Sequence, residues 1–303
     1  MILFIEQLFN GLQLGVTLFL LASGLTLVFG IMGLINLSHG SLYMVGAYVA
    51  ATVTSQTDSF LIGLVAAMAA AALLGVVIET VIMRRLYHRD HLYQVLATFG
   101  LILFFNELVR IIWGSQPLFV DIPDALNFTI NIFGEAAYPA YRVFIILVGI
   151  VVLGILYGLI FYTRIGMLTR AGSSNRMMAQ ALGVNINLLY TGIFAFGAVL
   201  SALAGALAGP IYAVEIGMGE HILILAFVVI VIGGIGSVKG SFISAVVIGI
   251  VDTLGRAYLP AIFQSFMSAS DGAVVGSSLA SIAIYLLMAV ILVLKPKGLF
   301  SRL

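Results

Sequence analysis

Residues 33–40 read Gly-Leu-Ile-Asn-Leu-Ser-His-Gly and interrupt two long apolar runs. Asn36, Ser38 and His39 carry hydrogen-bonding groups that cost free energy in apolar surroundings unless they find partners. Gly33 and Gly40, at the edges, let the backbone leave a helix. A broken helix at membrane depth is tolerated where protein or a water-filled cavity surrounds it, and such breaks form solute sites in transporters. Asn36, Ser38, His39 and Gly40 are therefore the candidates for lining a solute pathway. The competing reading is a plain turn capped by Asn36 or Ser38. His39 is not a metal candidate, because His88, His91 and His221 fall in scattered loops.

A second glycine-rich stretch, Gly233-Gly234-Ile-Gly236-Ser237-Val-Lys239-Gly240-Ser241, resembles a phosphate loop at a glance. A phosphate loop needs Lys followed directly by Ser or Thr, after a strand. Here Lys239 is followed by Gly240 and the flanks are apolar helices, so a tight turn is expected and ATP binding is not. Charged residues inside apolar runs come mostly in pairs. Glu107 and Arg110 are three apart, and Asp252 and Arg256 four apart, spacings that let them pair on one helix face. Glu79 lies a turn before Arg84 and Arg85 and is expected to reach the interface. These pairs read as mutual neutralisation rather than a proton relay, which speaks against an ion-coupled carrier. No nucleophile, base and orienting group cluster anywhere, so an enzyme is disfavoured.

The third stretch is polar, residues 163–187. A helix is expected over 173–182, opened by Ser173, Ser174 and Asn175 and closed by Gly183. Its expected face is Met177, Met178, Ala181 and Leu182. An exposed apolar helix is a docking element, and methionine suits a contact that repacks. Arg170, Arg176, Met177, Met178, Ala179, Ala181, Leu182 and Gly183 are the candidate coupling residues.

Membrane helices must position these stretches. Of 303 residues, 62% are hydrophobic and 8% charged, against about 25% charged in soluble domains. A bilayer core needs about 20 apolar residues per helix. Runs of that kind fall near 8–30, 41–57, 60–83, 94–113, 142–162, 188–213, 222–238, 241–258 and 276–294. The expected fold is one all-α membrane domain over residues 1–303, with eight to ten spans, some short or broken. Of 13 Lys and Arg residues, nine lie in three places: Arg84, Arg85 and Arg89; Arg164, Arg170 and Arg176; Lys295, Lys297 and Arg302. The positive-inside rule makes those segments, and the C-terminus, cytoplasmic. Asp58, Asp121, Asp124, Glu135, Glu215, Glu220 and Asp271 fall on the other side. By parity Lys239 joins the basic side and the N-terminus lies outside. That N-terminus has no basic region or small-residue cleavage site, so no cleaved signal peptide is expected. A net charge of +1 points away from nucleic acid, and the absence of cysteine removes disulfides and thiolate metal sites. Gly197, Ser201, Gly205 and Gly209, with Ala198, Ala202 and Ala206 beside them, form a smooth stripe for close helix packing. Ala66 to Ala72, ending at Gly75, form another.

Several blocks together resemble the permease subunits of branched-chain amino acid ABC importers, the Liv-type family and its LivH-like branch. They are Gly33 to Gly40, Tyr43-Met-Val-Gly46-Ala-Tyr48, Thr98-Phe-Gly100, Arg164-Ile-Gly166, Ala181-Leu-Gly183-Val-Asn185, Gly233 to Gly240, and Lys295-Pro296-Lys297-Gly298-Leu299. They run in order from about residue 5 to residue 300. The resemblance implies a second, similar permease, two cytoplasmic ATP-binding subunits that hold ATP and Mg, a periplasmic solute-binding protein, and a place in the bacterial inner membrane. It makes Arg170 to Asn185 the coupling segment. The broader importer signature begins Glu-Ala-Ala, whereas Met177-Met178-Ala179 stands here; Gly183 is kept. Relatives carry amides, urea or aromatic acids as well as leucine, isoleucine and valine. A lone ion-coupled carrier of amino acids, or a passive channel for a polar solute such as urea, is the alternative.

Overall fold

The computed structural model describes residues 2–87, 89–132 and 136–300. His88, Glu135 and Arg302, which the sequence reading used, lie outside the described residues.

Every one of the nine apolar runs is a helix. The chain begins with α1 (Ile2–Met32), which Gly33 ends with a φ of 67°. Next come α2 (His39–Thr57), α3 (Phe60–Ile78), a π-turn over Glu79–Met83 that continues α3, its last turn α4 (Arg84–Leu86), and α5 (His91–Trp113). The connection after α5 holds a short antiparallel hairpin, β1 (Thr129–Ile132) and β2 (Ala136–Pro139), pairing Ile130 with Tyr138. The chain continues with α6 (Ala140–Tyr162), α7 (Arg164–Ser174), α8 (Arg176–Ala181) and α9 (Ile186–Ala208). It ends with α10 (Met218–Gly233), α11 (Val238–Gln264) and α12 (Ala269–Leu294).

Seven helical stretches are long and apolar enough to cross a bilayer: α1, α3 with its continuation, α5, α6, α9, α11 and α12. The other two runs are α2 and α10. With 19 and 16 residues, they reach about 28 and 24 Å, short of a roughly 30 Å core. Both are enclosed by protein. Enclosure explains why α2 carries Ser41, Tyr43, Tyr48, Thr52 and Thr54, groups that lipid would not solvate.

The interior is built from α1, α2, α9 and α10, while α3, α5, α6 and α12 turn residues such as Leu73, Leu92, Ile111 and Val293 outward. Small residues set the approach of the inner helices, as the glycine stripe predicts. A Cβ on Gly24 would stand 2.6 Å from the Gly197 carbonyl oxygen, and one on Gly46 2.5 Å from the Ala202 Cα. Gly75 faces Ala198 and Ala195 in the same way. Gly234 and Gly236, both with positive φ, turn the chain between α10 and α11, and Ser237 caps α11 by accepting from the Gly240 amide.

The basic segments share one end of the bundle. Arg84 donates to Thr191 at 2.9 Å, the Tyr190 hydroxyl meets the Ile31 carbonyl, and Gly30 packs on Gly236. The tail Lys295 to Phe300 returns to that end, where the Leu299 amide donates to the Ile232 oxygen at 2.8 Å. At the opposite end Trp113 donates to Thr52 at 2.6 Å, and Leu118 bridges Val214. Glu79 departs from expectation. It does not reach the interface but is fully buried, because Arg84, Tyr87 and Thr191 close around it.

Candidate functional site

The segment after α1 turns inward rather than lying at the surface. Asn36, Ser38 and His39 are all fully buried, and Gly40 is buried with them. The Asn36 Oδ1 accepts from the Ser38 amide at 3.1 Å and from the Ser38 hydroxyl at 2.6 Å, a local turn that replaces helix geometry. Ser38 makes no side-chain cap on α2. A capped surface turn is therefore not what forms. Residues 33–38 instead carry the chain back into the bundle, so that α2 starts beside Gly24 and Gly197. Gly24 is two turns back along α1, which puts the His39 ring about 12 Å in from that helix's end. The Ser201 hydroxyl donates to the His39 carbonyl at 2.7 Å.

Two helix starts meet there. Gly40 in α2 and Gly219 in α10 touch so closely that a Cβ on either would strike the other's backbone. The surrounding polar atoms are not all satisfied. The Asn36 Nδ2 and the Ser41 hydroxyl are buried with no partner, and the buried His39 ring has only the Gly197 backbone beside it. Such groups cost about 1–3 kcal/mol each when left unmade.

At the basic end the polar stretch folds as two helices, not one. Ser173 and Ser174 close α7. Asn175 alone caps α8, accepting from the Met178 amide at 2.9 Å. Gly183 ends the segment with a φ of 86°, the conformation that suits glycine. Met177 and Leu182 are about four-fifths exposed, with Met178, Ala181 and Gly183 exposed beside them. The other coupling candidates face inward. Ala179 is buried. Arg176 lies over the rings of Tyr87 and Tyr190, at 5.3 and 5.2 Å. Arg170 donates to the Ile160 carbonyl. These three hold α7 and α8 against the membrane helices.

The paired charges behave as their spacing predicts. Arg110 meets Glu107 at 2.7 Å on an exposed face, and Arg256 meets Asp252 at 2.8 Å. The second pair does more than neutralise itself, because it lines an open cavity of about 680 Å³ at the non-basic end. Asn10, Gln13, Arg142 and Tyr212 line it too, a set no single stretch of sequence reveals.

A family profile described as branched-chain amino acid transport system / permease component matches residues 7–294. The chain belongs to this family. As a permease component it is similar to the high-affinity branched-chain amino acid transport system permease protein LivH of Escherichia coli (strain K12). The two are 29% identical over 99% of this chain and 96% of the relative. BraD, a permease protein of the same description in Pseudomonas aeruginosa, is also 29% identical with the same coverage. The ribose import permease protein RbsC of Escherichia coli (strain K12) is 26% identical over 82% of this chain and 77% of the relative. No solved structure matches.

Proposed function

We propose that this chain is the membrane-spanning permease subunit of an ABC importer that carries branched-chain amino acids into the cytoplasm across the bacterial inner membrane. The family match over nearly the whole chain carries this reading. The LivH and BraD relatives favour the solute class; the ribose permease among the relatives means the scaffold alone does not set it.

The basic end is the cytoplasmic end, and the C-terminus with it, because Lys and Arg concentrate there. The outer end receives solute from a periplasmic binding protein. A second, homologous permease completes the pathway. Two ATP-binding subunits, holding ATP and Mg, dock on the exposed face of Met177, Met178, Ala181 and Leu182. Arg170, Arg176 and Ala179, turned inward, pass the movement of that face to the bundle. The buried polar groups of Asn36 and His39, which have no side-chain partner beyond their own turn, support a gate at the point where α2 and α10 begin. ATP drives the cycle because the two states bind nucleotide and solute differently.

The test is ATP-dependent leucine uptake by proteoliposomes holding the chain with its partner subunits and binding protein. Leu182→Glu, which alters only an exposed side chain, is expected to abolish co-purification of the ATP-binding subunits. Uphill uptake by this chain alone, or normal co-purification of the variant, defeats the reading.

A further inference from the structure

The outer cavity has the chemistry of an amino-acid head-group site. Its charged groups come from α6, α11 and the connection before α10, which meet only in the fold. Arg142 stands at the start of α6, and Asp252 and Arg256 on α11. Arg142 is half-buried and donates to the neutral side-chain oxygen of Asn10, on α1. Arg256 holds Asp252 through one carboxylate oxygen and one nitrogen only, at 2.8 Å. The second Asp252 oxygen and the terminal nitrogens of Arg256 make no hydrogen bond among the described residues. Tyr212 stands within electrostatic reach of Arg142, Asp252 and Arg256 at once.

Cation and carboxylate therefore face one space, each with bonding capacity left. Glu215 and His221 line the space as well, and Leu14 from α1 with Ile222 and Leu225 from α10 gives it an apolar side. A cavity of about 680 Å³ falls in the range of small-molecule sites, which pair apolar walls with a few convergent polar groups. Guanidinium matches a carboxylate through paired N–H donors. A carboxylate matches an ammonium. The Leu14, Ile222 and Leu225 wall takes an aliphatic side chain.

We propose that this cavity binds a free α-amino acid as its zwitterion, with Arg142 on the carboxylate, Asp252 on the ammonium and the side chain against Ile222 and Leu225. It is a waiting site at the outer end, between arrival of the solute and its passage inward. The proposal rests on the importer reading for its direction of travel. It goes beyond that reading in placing recognition on this chain as well as on a binding protein.

The chain has no cysteine, so Thr253→Cys puts a single thiol on it, at the cavity wall, whose alkylation is read on this chain once the subunits are separated. The complete transporter carrying it is placed in nanodiscs without binding protein, and its rate of thiol alkylation is measured with and without leucine. Leucine is expected to protect the thiol, while 4-methylpentanoate, which lacks the ammonium, and 3-methylbutylamine, which lacks the carboxylate, leave it open. Arg142→Gln and Asp252→Asn, added singly, are expected to raise the leucine concentration for half protection about tenfold or more, since each removes a charge-assisted contact. Arg110→Gln, on an exposed face outside the cavity, is expected to change nothing. If proteoliposomes with binding protein take up leucine but no amino acid protects the thiol, the site is wrong and the importer reading stands. The same holds if both charge variants leave protection unchanged. If leucine is not transported but another α-amino acid protects in this charge-dependent way, the site stands and the solute class is wrong. The protection measurement keeps every native charge, so it decides the matter even where a charge variant fails to fold.

Discussion

The Arg84 guanidinium reaches the Glu79 carboxylate at 3.0 Å from five residues along the same helix. In an α-helix, side chains three and four apart are the ones that meet. The π-turn at Glu79–Met83 widens the helix by one residue per bond and brings the fifth residue round. Glu79 thereby becomes a buried hub. Tyr87 donates to one carboxylate oxygen and Thr191, at 2.6 Å, to the other. Burial first, and then its bond to Glu79, pushes the Tyr87 hydroxyl well above the usual phenol range, so it stays a donor. Tyr87 also carries Arg176 on its ring face. The hub thus links α3, α9 and the start of α8.

Removing the cation from this hub is expected to hurt more than removing both charges. Arg84→Ala leaves a buried carboxylate without its ion partner and is expected to destabilise the chain clearly. Arg84→Ala combined with Glu79→Gln removes the uncompensated charge and is expected to regain most of that. Thermal unfolding of the purified chain in detergent gives the comparison. A double variant no more stable than Arg84→Ala alone would show that the hub does not depend on charge balance.

The glycines separate into two kinds with opposite expected outcomes. A Cβ on Gly46 would lie within 2.8 Å of the Ala202 Cα, Cβ and carbonyl oxygen, mostly backbone atoms that cannot swing away. Gly46→Ala forces α2 and α9 apart and is expected to cost about 1–3 kcal/mol or more. Gly154 and Gly158, on α6, have nothing within 4 Å. Gly158→Ala is expected to be neutral, or to stabilise by about 0.5–1 kcal/mol through helix propensity. Fluorescence-detected size exclusion after heating ranks the variants; equal melting would remove the close-packing argument for α2 and α9.

The spans, the shared end of the basic residues and the inward-facing small residues were legible because each is local: a run, a count or a period. Asn36, Ser38 and His39 stood out as polar groups within apolar sequence, and that is where the chain dips into the bundle. What was not legible needs the third dimension. Asn10, Arg142 and Asp252 meet from positions more than a hundred residues apart. Glu79 looked like an interfacial residue because neither its π-turn nor Thr191 leaves a mark near it. The Ser173-Ser174-Asn175 run offered three possible caps, and only backbone geometry picks Asn175. The β1–β2 hairpin is four residues a side, too short for its alternation to speak above a polar connection.

Arg176 is expected to matter to coupling without touching a partner. Its guanidinium sits against the edge-to-face pair of Tyr87 and Tyr190, a contact worth about 0.5–2 kcal/mol, and it seats α8 with its methionines outward. Arg176→Ala is expected to leave the ATP-binding subunits attached but to loosen the link between ATP hydrolysis and uptake. The number of leucine molecules taken up per ATP falls while hydrolysis continues. Arg176→Lys, which keeps the charge but loses the planar stack, is expected to fall between. An unchanged ratio in both variants would assign Arg176 to the fold alone.

His39 presents the sharpest contest between stability and action. Its ring is buried with no side-chain partner and only the Gly197 backbone beside it, so this state gains little from having an imidazole there. Replacing such a group by an apolar side chain of similar size is close to neutral or stabilising. His39→Leu is therefore expected to melt at the same temperature as the parent or higher. If the imidazole finds its partners in another state of the cycle, the same variant is expected to lose most leucine uptake while still binding its ATP-binding subunits. Thermal unfolding and uptake measured on one preparation read the two effects separately. A variant that is stable and transports normally takes His39 out of the gate; one that unfolds makes it a packing residue instead.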